Sequence, residues 1–287
     1  TGAGTLTLSN DSNTYSGATT VTAGTLALGA DYAIPDTSHV TVATGATFNL
    51  AAFRTRIDAL SGAGTITLGT GKLTLVGEGT STFSGLITGA GSLTQSGTGY
   101  LTLSGANTFT GGVELEDGTL YFGSSSVKSG STITSGPIGT GTLQIPDDST
   151  FGITAGNITL HNKIELSGYY DASVTTGEDD KMATNLTLAG LITGTNGLYK
   201  YGYGSLTLSG ANTFTGTTTI SGGVLNVGSA ENAGVAGPLG NKAANAAGSI
   251  IFTGGTLQYS VANQNDYSGR FSAGASQAIS IDTNGQD

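Results

Sequence analysis

The 287-residue chain contains 49 glycines and 4 prolines, lacks cysteine and tryptophan, and has only 10% charged residues. These features exclude a disulfide framework, a thiolate zinc site and a collagen repeat, and the regular supply of apolar residues is not typical of disorder. The formal net charge is −10 and the 9 basic residues form no run, so the sequence predicts no nucleic-acid partner. No apolar run approaches the ~18 residues of a membrane span.

The first predicted element, Thr5–Leu8, opens the chain with alternating threonine and leucine. This alternation is typical of a β-strand with one buried face, and closely spaced glycines before it indicate a turn. Related glycine-led strands recur at Gly62, Gly89, Gly139 and Gly254. Because such short strands cannot bury their apolar faces alone, the pattern predicts stacked coils of roughly 20–25 residues, about 12 in all.

The segment Ala51–Leu60 interrupts this rhythm. Phe53, Ile57 and Leu60 have helical spacing, which leaves a short helix as one interpretation. The segment leads directly into the strand pattern at Gly62, so we favour a strand with Ile57 pointing inward.

A longer repeat links the middle and the end of the chain. Residues 205–216, SLTLSGANTFTG, match residues 100–111 in all but the first position, and a looser copy begins at Gly4. A second strand, a glycine turn and a third strand follow in each copy. A hairpin meander would satisfy this order, but we favour a coil because the motifs stay in line over the chain. The asparagines of the three copies are predicted to cap corners through backbone hydrogen bonds: Asn13, Asn107 and Asn212.

Candidate binding residues lie where one copy departs from another. Tyr199, Tyr201 and Tyr203 stand where the preceding copy, 105 residues earlier, has small polar residues. With Lys200 between them, they could form an aromatic stripe that stacks on sugar rings or seats a partner. The alternative is that they pack against Tyr169 and Tyr170 in a polar insertion, 168–181, that is predicted to loop out of the solenoid.

The same insertion carries the candidate metal ligands, Glu178, Asp179 and Asp180. Their carboxylates could bind Ca²⁺, although the spacing matches no known calcium loop and an exposed acidic loop tip is the alternative.

Glu114 and Glu116 are the best pair for glycoside hydrolysis, since they share one face of a predicted strand. Carboxylates on such a face more often contact water. Lysines and arginines are scattered singly and no G-x-S-x-G motif occurs, so the sequence predicts neither an enzyme nor a cofactor.

The repeated residues resemble the passenger-associated transport repeat, also called the autotransporter-associated β-strand repeat. Its pattern, G-x-G-x-L-x-L-S-G-x-N-T-[YF]-[TS]-G and the strands that follow, falls on Gly2–Gly29, Gly97–Gly123 and Gly202–Gly228. The resemblance implies a right-handed parallel β-helix in the passenger of a bacterial surface protein, exported through an outer-membrane barrel beyond this segment. It also implies adhesion, which in this family is usually carried elsewhere or spread over the rod. The expected partners are cell-surface molecules or carbohydrate.

We therefore expect residues 1–287 to form one all-β solenoid segment of a longer repeat protein. The expected function is a non-enzymatic extracellular rod or stalk that supports adhesion or surface display. A fibre that self-assembles end to end is the alternative, and a polysaccharide-acting β-helix enzyme is a more distant one.

Overall fold

The structure, a computed structural model, describes residues 2–177, 184–274 and 277–286. The chain divides into two compact units, Thr1–Gln144 and Ile145–Asp287. In both units the described residues form short β-strands, and none of them forms a helix with the length and apolarity that a membrane span requires.

The strands of the first unit are β1 (Thr5–Leu8), β2 (Thr19–Val21), β3 (Thr25–Leu28), β4 (His39–Val42), β5 (Thr47–Asn49), β6 (Arg54–Ile57), β7 (Ala59–Gly62), β8 (Thr65–Thr67), β9 (Lys72–Leu75), β10 (Thr80–Phe83), β11 (Leu86–Thr88), β12 (Ser92–Gln95), β13 (Tyr100–Leu103), β14 (Val113–Leu115), β15 (Thr119–Phe122), β16 (Val127–Ser129), β17 (Thr132–Ser135) and β18 (Leu143–Ile145), whose last residue begins the second unit.

The strands of the second unit are β19 (Thr150–Ile153), β20 (Gly156–Leu160), β21 (Ile164–Leu166), β22 (Ala172–Thr176), β23 (Thr184–Leu188), β24 (Ile192–Gly194), β25 (Leu198–Tyr201), β26 (Ser205–Leu208), β27 (Thr218–Ile220), β28 (Val224–Val227), β29 (Ile250–Phe252), β30 (Thr256–Gln258) and β31 (Ile281–Asp282), with one 3-10 turn at Ser268–Arg270.

The first unit is a parallel β-solenoid with three sheets. Their strand orders are β1-β3-β5-β8-β11, β2-β4-β7-β10-β13-β15 and β6-β9-β12-β14-β18, and the chain passes from sheet to sheet as it coils. Thr5 pairs with Thr25, and Thr25 with Thr47, so one regular coil takes about 20 residues. An antiparallel hairpin, β16–β17, interrupts one longer coil. The predicted parallel β-solenoid is confirmed.

The second unit has the same construction. Its sheets are β19-β22-β25-β27-β29, β20-β23-β26-β28-β30-β31 and the pair β21-β24, and its strand pairs are parallel.

Apolar side chains from successive coils stack in register inside each unit. In the first unit, Leu26 pairs with Phe48, Phe48 with Ile66, and Ile66 with Ile87, and all four are buried. In the second unit Leu186, Leu206 and Leu225 form a similar ladder. Burial of each such side chain contributes about 1.5–3 kcal/mol, so the alternating strands gain their stability from the next coil.

The copies of the long repeat form coils rather than hairpins. Their first and third strands are parallel neighbours, with the central leucines in register: Leu6 with Leu26, Leu101 with Leu120, and Leu206 with Leu225. The middle strand of each copy, β2, β14 or β27, lies in a different sheet. In the first unit, the first copy has its first and third strands, β1 and β3, in one sheet, and the second copy has its own, β13 and β15, in another. The motif therefore forms a coil but does not always occupy the same sheet of the solenoid.

Two local expectations have different outcomes. The segment around Ile57 is the strand β6, with Ile57 fully buried, so the strand interpretation is confirmed. Within the segment 168–181, however, Ala172–Thr176 form β22, which pairs with β19 and β25 instead of looping out. The physical reason is that Ala172 and Val174 point inward and are buried.

Candidate functional site

Asn107 and Asn212 clamp the corner of the repeat in the same way. The Oδ1 of Asn107 accepts the Ile87 N–H at 2.8 Å, and its Nδ2 donates to the Pro137 carbonyl at 2.7 Å. In Asn212 the corresponding distances, to Ile192 and Pro238, are both 2.9 Å. Both side chains are fully buried, so they satisfy backbone groups that water cannot reach.

Asn13 in the first copy is less buried but has a similar role. Its Nδ2 donates to the carbonyls of Asn10 and Ala33, each at 3.0 Å. Corner capping is thus confirmed for all three asparagines. The repeated residues serve the coil, and candidate binding groups have to be sought elsewhere.

The tyrosine stripe, Tyr199, Tyr201 and Tyr203, lies on and just after β25. Tyr199 and Tyr203 are 37% and 63% exposed, and the ring centroids of Tyr199 and Tyr201 are 6.1 Å apart. The Tyr199 hydroxyl donates to the Ser221 hydroxyl at 2.8 Å. Small polar residues flank Tyr199 in register, with Ser173 on one side and Thr219 on the other. The stripe is therefore a partly exposed aromatic surface with hydroxyl groups beside it.

Tyr169 and Tyr170, which could have covered the stripe, are themselves exposed, at 96% and 66%. Among the described residues, no ring contact joins either of them to the stripe.

Lys200, between Tyr199 and Tyr201, points into the solenoid and is fully buried. Its Nζ donates to three carbonyls, those of Tyr201 at 3.0 Å, Gly202 at 3.1 Å and Gly222 at 2.8 Å. Burial lowers the pKa of Lys200 to about 8 because the charged ammonium loses its hydration. Lys200 is thus part of the interior beneath the stripe rather than of its exposed surface.

The acidic pair Glu114 and Glu116 does not act as two free carboxylates. Glu114 forms an ion pair with Lys72 at 3.0 Å and also accepts the Thr94 hydroxyl at 3.5 Å. Glu116 lies beyond the end of β14, at the rim of a neighbouring groove.

That groove brings together basic residues that are scattered in the sequence. Arg54 on β6 pairs in register with Lys72 on β9, and Arg56 forms an ion pair with Asp36 at 3.2 Å. The resulting cavity has a volume of about 240 Å³. We call it the Arg54 groove, and the residues that define it are Tyr32, Arg54, Arg56, Lys72, Thr74 and Glu116.

A buried polar cluster in the second unit had no signal in the sequence. Arg270 and Glu231 lie 3.6 Å apart, each with a side chain only 2% exposed, and the Tyr267 hydroxyl donates to Glu231 at 2.8 Å. Arg270 also donates to the Leu239 carbonyl at 2.7 Å, which ties the cluster to the corner clamped by Asn212. Burial raises the pKa of Glu231, although Tyr267 and Arg270 oppose this effect. The cluster joins the connection between β28 and β29, which contains Glu231, to the connection between β30 and β31, which contains Arg270.

The predicted metal ligands Glu178, Asp179 and Asp180 lie outside the described residues. Within the described part of the chain, no group of three or more histidine or acidic side chains is arranged to hold a metal ion.

The comparisons with known proteins agree with the repeat analysis. The family model of the passenger-associated-transport-repeat matches residues 1–28, 93–121 and 198–227. The chain is also 35% identical over 257 residues to the Adhesin BmaC autotransporter of Brucella suis biovar 1 (strain 1330). This match covers 87% of the chain but only 7% of that relative. No solved structure matches the chain significantly. The chain thus contains three passenger-associated transport repeats and resembles the autotransporter passengers that are built from them.

Proposed function

We propose that the chain is a non-enzymatic β-helical segment of an autotransporter adhesin, located on the bacterial surface or secreted, and that it supports adhesion. The observation that carries this proposal is the similarity to an adhesin over 87% of the chain. The corner clamps support it, because they assign the repeated residues to coil formation rather than to a reaction.

The absence of a catalytic role is part of the proposal. Glycoside hydrolysis needs two carboxylates that face each other across the scissile bond. Glu114 forms an ion pair with Lys72 and accepts a hydrogen bond from Thr94, and Glu116 lies after the last residue of β14. We therefore assign the pair to a solvated, ion-paired face.

The tyrosine stripe is the proposed contact surface for the adhesive partner. Exposed tyrosines offer a large apolar area with a polar tip at low entropic cost, and the rings of Tyr199 and Tyr203 are accessible. Ser173 and Ser221 add hydroxyl groups for hydrogen bonds at its edges. A cell-surface carbohydrate or protein would fit such a surface.

The test is to display the chain on a non-adherent bacterium and to measure binding to host cells and to extracellular matrix. Adherence above that of the same strain with an unrelated β-helix is expected. The double variant Tyr199→Ser/Tyr203→Ser should reduce it at an equal level of display. Adherence equal to that of the unrelated β-helix would contradict the proposal.

A further inference from the structure

We propose that the Arg54 groove of the first unit binds a carboxylate-bearing saccharide, with the carboxylate on Arg54 and the sugar ring against Tyr32. This site is separate from the tyrosine stripe and goes beyond the adhesive function proposed above. The argument depends on the placement of Tyr32 and Arg54, on the charges around the groove and on its floor.

One backbone hydrogen bond joins Tyr32 to Arg54, and a second hydrogen bond joins the Arg54 backbone to the side chain of Asp31, the residue before Tyr32. The Tyr32 N–H donates to the Arg54 carbonyl at 2.8 Å, and the Arg54 N–H donates to Oδ1 of Asp31 at 2.8 Å. Tyr32 has φ 56°, in the left-handed region that side chains other than glycine rarely adopt. Such strain persists only where surrounding contacts impose it, and it is concentrated at functional sites. Both residues line the same groove, and Tyr32 is 45% exposed.

Arg54 is the cation of the groove that remains available for a ligand. Arg56 is engaged by Asp36 and Lys72 by Glu114, whereas Arg54 forms no ion pair among the described residues. A guanidinium group matches a carboxylate geometrically and can bind it with two parallel hydrogen bonds. Arg54 is exposed, so a ligand carboxylate can reach it without a rearrangement of the chain.

The floor between Arg54 and Glu116 carries small hydroxyl side chains. Arg56, Thr74, Thr94 and Glu114 lie in register on four adjacent strands, which places two threonines between a basic and an acidic side chain. Strands β6 and β14 are three spacings apart, roughly 14 Å.

This floor favours a saccharide over a peptide. The Thr74 hydroxyl and the Glu116 carboxylate can pair with ring hydroxyls, and Tyr32 can stack on a pyranose face. An acidic peptide would bring negative charge toward Glu114 and Glu116, which a sugar with one carboxylate at the Arg54 end avoids. A volume of about 240 Å³ accommodates one pyranose unit.

Calorimetric titration of the full chain at low salt tests the proposal with four probes: galacturonate, sialyllactose, lactose and a short polyglutamate. Saturable binding of at least one acidic saccharide, with lactose inactive, is the expected result, and the two acidic probes show whether a uronate or a terminal sialic acid is preferred. Equal binding of lactose, tighter binding of polyglutamate, or no binding of either acidic saccharide below about 1 mM would overturn the proposal.

Two variants connect binding to the groove. Arg54→Met should weaken the acidic saccharide by roughly tenfold or more, since a charge-assisted pair is lost. Tyr32→Gly removes the ring and relieves the strained φ, so it should weaken binding while the melting temperature stays the same or rises. Lys163→Gln, which removes the same charge from an exposed residue outside the groove lining, is the matched control. Unchanged affinity in Arg54→Met, or an equal loss in Lys163→Gln, would contradict the assignment. Cell adherence is a separate readout, so this site can fail without the adhesive function failing.

Discussion

Gln95 and Lys200 occupy equivalent positions, 105 residues apart, and both cap the same backbone turn from inside the solenoid. Gln95 donates to the Gly97 carbonyl at 2.7 Å, and Lys200 donates to the Gly202 carbonyl at 3.1 Å, its counterpart in the next copy. The neutral amide satisfies the turn without a buried charge. The ammonium group adds the carbonyls of Tyr201 and Gly222, and burial lowers its pKa.

The stability of the second unit should therefore rise with pH in the range where Lys200 titrates. The pKa of Lys200 is about 8 in the folded state and 10.5 in the unfolded state, so the unfolded chain binds the extra proton between these values. Below pH 8 both states are protonated and the cost of burying the charge is present in full. The free energy of unfolding should rise by roughly 3 kcal/mol between pH 8 and pH 10.5.

Thermal melts of the chain and of Lys200→Gln over this pH range measure the effect. The difference between the two proteins isolates Lys200, because tyrosines titrate in both. Lys200→Gln should lose the rise, whereas Lys163→Gln, at an exposed lysine, should keep it. The same pH profile in Lys200→Gln as in the parent chain would contradict a buried ammonium.

Asn212→Ala should destabilise the second unit by about 2–5 kcal/mol, because it leaves the Ile192 N–H and the Pro238 carbonyl buried without a partner. Urea unfolding checks this value. Asn185→Ala removes an exposed hydrogen bond to Asn157 and should cost less than about 1 kcal/mol. If both variants had the same midpoint, the clamp would not be a principal source of stability.

Gly240→Ala should lower the melting temperature more than Gly234→Ala. The two glycines have nearly the same left-handed φ, 77° and 76°, so the backbone strain of an alanine is matched. A Cβ at Gly240 would collide with the carbonyl oxygen of Phe214, whereas a Cβ at Gly234 meets open space. Scanning calorimetry of both variants measures the difference in melting temperature. Equal melting temperatures would mean that the backbone around Phe214 shifts to accept the Cβ at little energetic cost.

Arg270→Met should destabilise the second unit by about 3–5 kcal/mol, since it leaves the buried Glu231 carboxylate without its cation. Glu231→Gln in the same chain should restore part of the loss, because no charge then stays unpaired. A double-mutant cycle by chemical unfolding measures the coupling. Strictly additive effects would mean that the two groups do not interact.

The parallel coil could be predicted because its signals are local and repeated. The alternation in Thr5–Leu8 and the glycine turns indicate stacked strands without any knowledge of register. The same alternation places the Lys200 side chain inside the solenoid, and Gln95 at the equivalent position of the preceding copy could have indicated this. The sequence alone instead places Lys200 in the exposed stripe, because tyrosines stand on both sides of it.

The Arg54 groove and the Glu231 cluster could not be predicted in this way. Arg54 meets Lys72 because one particular coil takes 18 residues, and the excursions that bring Arg270 to Glu231 have no periodic pattern. Which side chains meet across neighbouring coils depends on the number of residues in each coil, and the pattern of a single strand does not give that number. Differences between the copies of the repeat indicated where candidate surface residues lie, as for Tyr199. They did not indicate which residues those side chains contact.

The central claim is that the residues shared by the copies of the repeat build the coil, and that positions where one copy departs from another, such as Tyr199 and Tyr203, carry adhesion. The most direct test is a side-by-side measurement of surface display and cell adherence for Asn212→Ala and for Tyr199→Ser/Tyr203→Ser. The predicted result is that Asn212→Ala reduces the amount of folded, protease-resistant chain on the surface. The tyrosine variant should keep full display and lose adherence per displayed molecule. Full adherence per molecule in the tyrosine variant, or unchanged protease resistance in Asn212→Ala, would contradict the claim.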